Sequence, residues 1–374
     1  MKGLKIGISV GMQKPNETVW TNGIKQNVLN FADLLLRSKL GHEVALINTC
    51  QNADYGKIDW DTERFQLFHY NEMFDLNLDL MVWMGAQVDD AFILKLKEKG
   101  IKQLFYKCGN EWIISTENVL FNHVHRPEAP GFSELYDAFW MIPQLMYSAK
   151  GFLQTLHRIE PQEVPFIWSP MHIDRIIENS GHTKEDYLYK PSRGKKRVAI
   201  MEPNLNVVKN CIFPMMVAEQ HYRYNPDVWK HLYIVNAYKL REHKEFKGLV
   251  NKLDLQKDKL LSVEQRFTTP MFLHEYTDVV LSWQWENPLN YSYLDTLYLE
   301  YPLVHNAYMI KNAGYYYKGF DHEGAKEQLE FALTNHDKNI SSYKYRIHKV
   351  LKKFRSDNMA LVEKYDTLLK NLFK

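Results

Sequence analysis

The sequence predicts an α/β protein built from two doubly wound, Rossmann-like domains. Three observations carry this. At 374 residues, the chain is longer than one ordinary core of about 100–200 residues. Short apolar runs that end in glycine or asparagine alternate with segments of helical apolar spacing, the pattern of buried parallel strands joined by crossover helices. The alternation then restarts after a stretch over 181–196 that is rich in Gly, Pro, Ser and charge.

In chain order, residues 4–11 read as a buried strand ending at Gly11. Residues 23–40 place Ile24, Val28, Phe31, Ala32, Leu35 and Leu36 on one helix face, and Gly41 closes that helix before a strand at 43–48. A strand over 78–84 ends at Gly85, a helix over 89–99 ends at Gly100, and a strand over 101–107 ends at Cys108-Gly109-Asn110. Residues 138–142 and 164–167 read as two further strands. The second series runs as a strand at 197–201, a helix at 211–222, a strand at 232–236, a helix at 246–253 and a strand at 260–263. A helix begins at Thr269-Pro270, followed by a strand at 278–282, a helix at 291–299 and a strand at 303–306. From Gly324 to the end the chain reads as helical throughout. The expected organisation is a first domain over 1–180, a linker over 181–196, a second domain over 197–345, and a helix over 346–374 that packs back on the first domain. Two such halves imply a cleft, with ligands at the carboxyl ends of the strands.

Composition narrows the class. Hydrophobic residues at 45%, charged residues at 25% and a net charge of +2 fit a globular protein and exclude a disordered one. No apolar run approaches the ~20 residues that span a bilayer. The first ten residues read as a strand rather than a signal peptide. Cys50, Cys108 and Cys211 are odd in number and widely spaced, which suits a reducing cytoplasm better than a disulfide framework. Residues 1–170 hold 16 basic and 20 acidic side chains, against 31 and 25 in 171–374, so an anionic ligand is expected on the C-terminal side. Basic clusters at 190–197 and 344–355 read as solvated faces or, together, as a surface for a polyanion.

No GxGxxG follows the first strand, and there is no P-loop, HExxH or G-x-S-x-G, which disfavours dehydrogenases, P-loop NTPases, zincins and α/β-hydrolases. His123 and His125 read as loop residues, and no metal site is expected. The informative stretch is 278–306. A buried strand leads to a loop carrying Glu286. A helix then starts near Asn290, Tyr291 and Ser292 and carries Asp295 about one turn inside, before it ends at Tyr301-Pro302. The free N–H groups and positive dipole end of that helix can hold a diphosphate. Asp295 can accept from ribose hydroxyls and Glu286 can meet a sugar. The alternative is that both acids merely favour the helix start.

This layout resembles the retaining, nucleotide-sugar-dependent glycosyltransferases of the GT-B type, whose E-x7-E element occupies such a strand–loop–helix before a G-x-P turn. The chain departs from that pattern: the second acid is Asp295, eight residues separate it from Glu286, and Tyr301 stands at the turn glycine. Trp20-Thr21-Asn22-Gly23, Met84-Gly85-Ala86-Gln87, Gly109-Asn110-Glu111, Trp168-Ser169-Pro170, Glu202-Pro203-Asn204-Leu205 and Trp285-Glu286-Asn287 resemble a family of bacterial and phage glycosyltransferase-like proteins. The resemblance implies a metal-independent GT-B fold with a UDP-sugar donor on the second domain. It implies donor contacts from Gly23, Glu202, Asn204, Lys209, Arg266, Asn290, Tyr291, Ser292 and Asp295, with Lys209 and Arg266 neutralising the diphosphate. Trp20, Asn22, Gln26, Gln87 and Asn110 would contact the acceptor. Asp137 would orient or deprotonate its hydroxyl, unless it caps a helix, and Glu286 would be the second catalytic acid. The expected acceptor is hydroxymethylated cytosine in double-stranded phage DNA, taking arabinose or glucose. The alternatives are a bacterial surface glycan and, in another class, a non-catalytic nucleotide- or sugar-binding protein.

Overall fold

The structure, a computed structural model, describes residues 2–21, 23–52, 54–121 and 134–374. It divides into two compact units, Met1–His172 with Lys353–Lys374, and Ile173–Lys352.

The N-terminal unit contains β1 (Lys5–Val10), α1 (Gly23–Leu36), β2 (Glu43–Asn48), β3 (Leu67–His69), β4 (Leu80–Trp83), α2 (Asp90–Glu98), β5 (Lys102–Lys107), α3 (Glu111–Phe121), β6 (Ala138–Met141), α4 (Met146–His157) and β7 (Gln162–Glu163). Its sheet has the order β3-β2-β1-β4-β5-β6-β7, with every strand pair parallel. Both faces are buried, with Ile6, Ile8, Leu80 and Val82 on one and Met81 and Trp83 on the other, which explains why β4 reads as an uninterrupted apolar run.

After α5 (Met171–Ser180) and α6 (Lys184–Tyr187), the C-terminal unit repeats the scheme. It contains β8 (Lys196–Ile200), α7 (Ile212–Tyr224), β9 (Trp229–Ile234), α8 (Lys244–Val250), α9 (Asp254–Lys257), β10 (Leu261–Val263), α10 (Thr269–Tyr276), β11 (Val279–Leu281), α11 (Tyr291–Tyr298), β12 (Leu303–His305), β13 (Tyr315–Tyr316), α12 (His322–Thr334) and α13 (Ile340–Leu351). The parallel sheet order is β10-β9-β8-β11-β12-β13. The strand order reverses direction between β1 and β4 in one sheet and between β8 and β11 in the other, the switch points at which such sheets open a ligand crevice.

Three readings change. Residues 164–167 form no strand. Pro165 cannot donate to a ladder, and only the Val164 N–H continues the pairing, to Met141 O at 3.0 Å. The segment expected as linker carries α6, which the reciprocal bonds between Thr183 and Asp186 cap. The tail is three helices rather than one. The chain after α13 extends so that Trp168 N–H bonds Phe354 O at 2.7 Å and Ser356 N–H bonds Trp168 O at 2.9 Å. The last helix, α14 (Met359–Leu372), then packs in the N-terminal unit, where the Asp366 carboxylate accepts from Ser38 Oγ at 2.8 Å and from His42 Nε2 at 3.2 Å. Because His42 Nδ1 already accepts the Leu4 N–H at 3.0 Å, its proton sits on Nε2.

Candidate active site

The switch point of the C-terminal unit holds the strongest electrostatics of the fold. Glu202 follows β8 and is 1% exposed. Its Oε1 accepts the Trp283 N–H at 3.2 Å, from the end of β11, and the Tyr293 hydroxyl at 2.9 Å, from α11. Burial pushes this carboxyl up to about 7, against the pull of Lys209, Tyr293, the Trp283 N–H and Ser282. Lys209 stands on the loop after β8, with its Nζ donating to Asn290 Oδ1 at 2.5 Å. Burial lowers its pKa, the Glu202 charge raises it, and the Arg266 charge lowers it again. Asn290 is the N-cap of α11 with an extended backbone, as the sequence predicts for a helix starting there. It also donates from Nδ2 to Asn287 O at 2.8 Å. Thus Glu202, Lys209, Arg266, Asn290 and the first turn of α11, with Tyr291 and Ser292 half-buried on it, gather at the ends of β8, β10 and β11.

Glu286 lies on the loop after β11, half-buried, in the left-handed region at φ 52°. Burial raises its pKa. A left-handed glutamate is uncommon and costs of order 1 kcal/mol, so it persists where surrounding structure or function holds it. The loop is pinned on both sides, by Trp285 N–H to Val208 O at 2.8 Å and by Asn287 N–H to Gln284 Oε1 at 2.6 Å. Asp295 is 4% exposed, inside α11 rather than at its surface. Asn204, also left-handed at φ 53°, shapes the turn after β8: its Nδ2 bonds Glu202 O at 2.9 Å and its Oδ1 accepts the Cys211 N–H at 2.7 Å.

The expected acceptor residues have partners within the N-terminal unit. Gln87 Nε2 donates to Tyr136 OH at 2.9 Å. Asn110 caps α3 by accepting the Ile113 N–H at 3.3 Å and donates to Ser148 Oγ at 3.1 Å. Gly23 opens α1, Gln26 is buried in it and Trp20 is half-buried ahead of it, while Asn22 lies outside the described residues. His123 and His125 also lie outside them.

Asp137 does not cap a helix, because residues 138–141 form β6. It stands at the amino end of that strand, opposite the end where Gln87 and Asn110 follow their strands. Its Oδ2 accepts the Gln103 N–H of neighbouring β5 at 2.7 Å. Asp79 before β4 accepts the Lys5 N–H at 2.7 Å, and Asp278 before β11 accepts the Arg197 N–H at 2.7 Å. The three aspartates share one job, satisfying a backbone donor where a parallel strand begins.

Sequence reading missed Ser282, Trp283 and Tyr293. The only available signal was the alternation of Tyr291, Tyr293 and Tyr298 within α11. It also missed Glu111, which burial would raise but which His157 and Lys107 hold down at about 2. Among the described residues, no group of His, Cys, Asp and Glu is arranged to hold a metal ion. No helix there is long and apolar enough to cross a membrane.

Residues 6–369 match the family model described as "Protein of unknown function (DUF2827)". The chain belongs to the DUF2827 family. No curated protein matches this DUF2827 chain. Solved structures do resemble it. A glycosyltransferase from Rickettsia africae ESF-5 is 11% identical over 100% of both chains, with a TM-score of 0.59. A sucrose-phosphate synthase from Thermosynechococcus elongatus is 10% identical over 99% of both, at 0.61. HepE of Anabaena, solved with UDP and glucose, is 11% identical over 98% of this chain and 99% of its own, at 0.57. These neighbours are GT-B glycosyltransferases, and this DUF2827 chain has their fold.

Proposed function

We propose that this chain is a glycosyltransferase that moves a sugar from a UDP-sugar to a hydroxyl acceptor. The C-terminal unit would hold the donor and the N-terminal unit would present the acceptor. The observation that carries this reading is Lys209, held by Asn290 at the N-terminus of α11 at a switch point, with the Arg266 charge close enough to act on it. Cations and unpaired N–H groups in a partly desolvated crevice favour a diphosphate, and they favour it most as charge develops on the departing nucleoside diphosphate. Glu286, held on a pinned loop beside that helix, would face the donor sugar. Asp137 has no part in this proposal.

The basic clusters give DNA less support than their sequence suggests. Lys196 and Arg197 pair with Asp337 and Asp278, and Lys344 and Arg355 pair with Glu300 and Asp357. A glycan or small-molecule hydroxyl is therefore the acceptor we favour, and hydroxymethylcytosine DNA becomes one arm of the test.

The test is UDP release from a panel of UDP-sugars, each with no acceptor, with ordinary DNA, with hydroxymethylcytosine DNA and with a glycan mixture. Acceptor-dependent release that falls by about 10²–10³ in Lys209→Ala, the usual cost of one donor to a developing anion, supports the proposal. Binding of UDP without release from any donor favours the non-catalytic binding protein. Release that Lys209→Ala leaves intact places the site elsewhere.

A further inference from the structure

The expected role of Glu202 as a direct donor contact sits poorly with its burial and its hydrogen bonds, and those same features give it another role. Its Oε1 takes both the Trp283 N–H and the Tyr293 hydroxyl, so one oxygen joins the end of β8 to the end of β11 and to α11. Tyr293 follows Asn290 by three residues on the first turn of α11, and Asn290 holds Lys209. Glu202 therefore sets the helix end and, through it, the cation. Among the described residues it makes no direct ion pair with Lys209. The two charges nevertheless act on each other.

We infer that Glu202 is a proton-linked positioning residue: an anion that binds beside Lys209 is taken up together with a proton on the Glu202 carboxyl. The inference rests on the anion site proposed above. The groups facing Glu202 are Lys209, Cys211 at the N-cap of α7, Ser282 and Tyr293, with Tyr317 after β13. Those facing Lys209 are Glu202, Arg266 and Asn290. Lys209 is the nearest cation to the buried carboxylate. An arriving diphosphate claims that cation and adds negative charge beside Glu202, where low polarity magnifies the repulsion. A proton from solvent relieves it. Because the Trp283 N–H and the Tyr293 hydroxyl both go to Oε1, Oε2 can carry that proton and neither positioning bond is broken. Burial has already brought the carboxyl to about 7, so little further shift is needed near neutral pH.

The experiment is calorimetric titration of the full chain with UDP, and separately with inorganic pyrophosphate, in two buffers of different ionisation enthalpy at pH 7.5. Wild type is expected to take up more protons than Glu202→Gln, by several tenths of a proton per site. The ligand's own phosphate ionisation is common to both proteins and cancels in the difference. Equal uptake overturns the inference. A second measurement needs no ligand. The carbon-13 carboxyl resonance that disappears in Glu202→Gln is titrated in wild type and in Lys209→Met. Losing the lysine charge should raise its midpoint by one pH unit or more, and an unmoved midpoint overturns the inference. If neither ligand binds but the midpoint moves, only the coupling of Lys209 to Glu202 stands, and both the anion-linked uptake and the anion site it rests on fall.

Discussion

The two units repeat one strand order around a switch point, yet they fill that point with different chemistry. Between β1 and β4 the backbone itself closes the crevice. Ser9 Oγ accepts the N–H groups of Met84 and Gly85 at 2.9 and 3.1 Å, and a Cβ on Gly85 would lie 2.6 Å from Ser9 O. Only glycine permits that approach. Between β8 and β11 the same position holds a buried carboxylate, a part-buried lysine and a helix N-terminus. Burying charge costs stability unless it is fully paired. The N-terminal unit also buries charge after β1, but as a closed pair, with Lys25 donating to Glu17 at 2.7 Å, whereas Lys209 donates to the neutral Asn290. That difference fits the anion site proposed for the C-terminal crevice.

Acid should separate the units most widely. Burial holds His305 and His336, both in the C-terminal unit, down at about 4. In the unfolded chain they take protons below about 6.5, so their contribution is present above 6.5 and lost as pH falls toward 4, roughly 3 kcal/mol for each. Glu202 runs the other way. Its raised pKa means the folded form binds the extra proton, which returns roughly 3 kcal/mol as pH falls from 7 to 4.5. These three groups together leave a net loss of about 3 kcal/mol, to which His221 and His231, also lowered by burial, add and which Glu286, raised by burial, opposes. In the N-terminal unit Glu111 is held at about 2, so its contribution survives to about 4.5 and is lost only below it. His42 is lowered by burial too, though Asp366 opposes the shift. Hydrogen exchange followed peptide by peptide, corrected for the intrinsic rate, should show the C-terminal unit losing protection first between pH 6.5 and 4.5. Simultaneous loss in both units would erase the contrast.

The paired aspartates sharpen the comparison at a smaller scale. Asp278 is 6% exposed and accepts, besides the Arg197 N–H, that residue's Nε at 3.0 Å and Nη2 at 3.2 Å. Asp278→Ala strands a half-buried guanidinium and should cost about 2–3 kcal/mol. Asp137 has one such backbone bond and a surface lysine at 3.5 Å. Asp137→Ala should cost about 1 kcal/mol. Denaturant midpoints would measure both. Sugar transfer unchanged in Asp137→Ala separates the strand-start role from catalysis, and its abolition in a folded variant would restore the acid role read from sequence.

Asp137 shows where sequence stops. The strands and the start of α11 were legible, because apolar runs, glycine ends and an asparagine N-cap are local signals. Two doubly wound domains were legible from two such series in one chain, and the GT-B fold from the resemblance carried by residues 278–306. Whether a carboxylate beside a strand faces the ligand depends on which end of the strand it occupies and what it reaches across the sheet. The hint was available: Asp79, Asp137 and Asp278 each immediately precede an apolar strand. Residues 164–167 misled because an apolar run outweighed Pro165. Tyr293 was invisible because its partner, Glu202, is 91 residues away in the chain.

The smallest expected effect asks whether strain at the charged crevice is functional. Glu286 carries a left-handed backbone with its half-buried carboxyl raised by desolvation, and among the described residues no bond to its carboxylate repays either cost. Glycine adopts φ 52° without the Cβ penalty, although it also loosens the unfolded chain, so Glu286→Gly should gain up to about 1 kcal/mol. If the residue is there for transfer, the same variant should lose turnover while its thermal midpoint rises. A gain in both would make Glu286 an accident of the loop. A loss in both would mean that the carboxylate holds the loop together, and the ligand-facing role would then pass to the Lys209 side of the crevice alone.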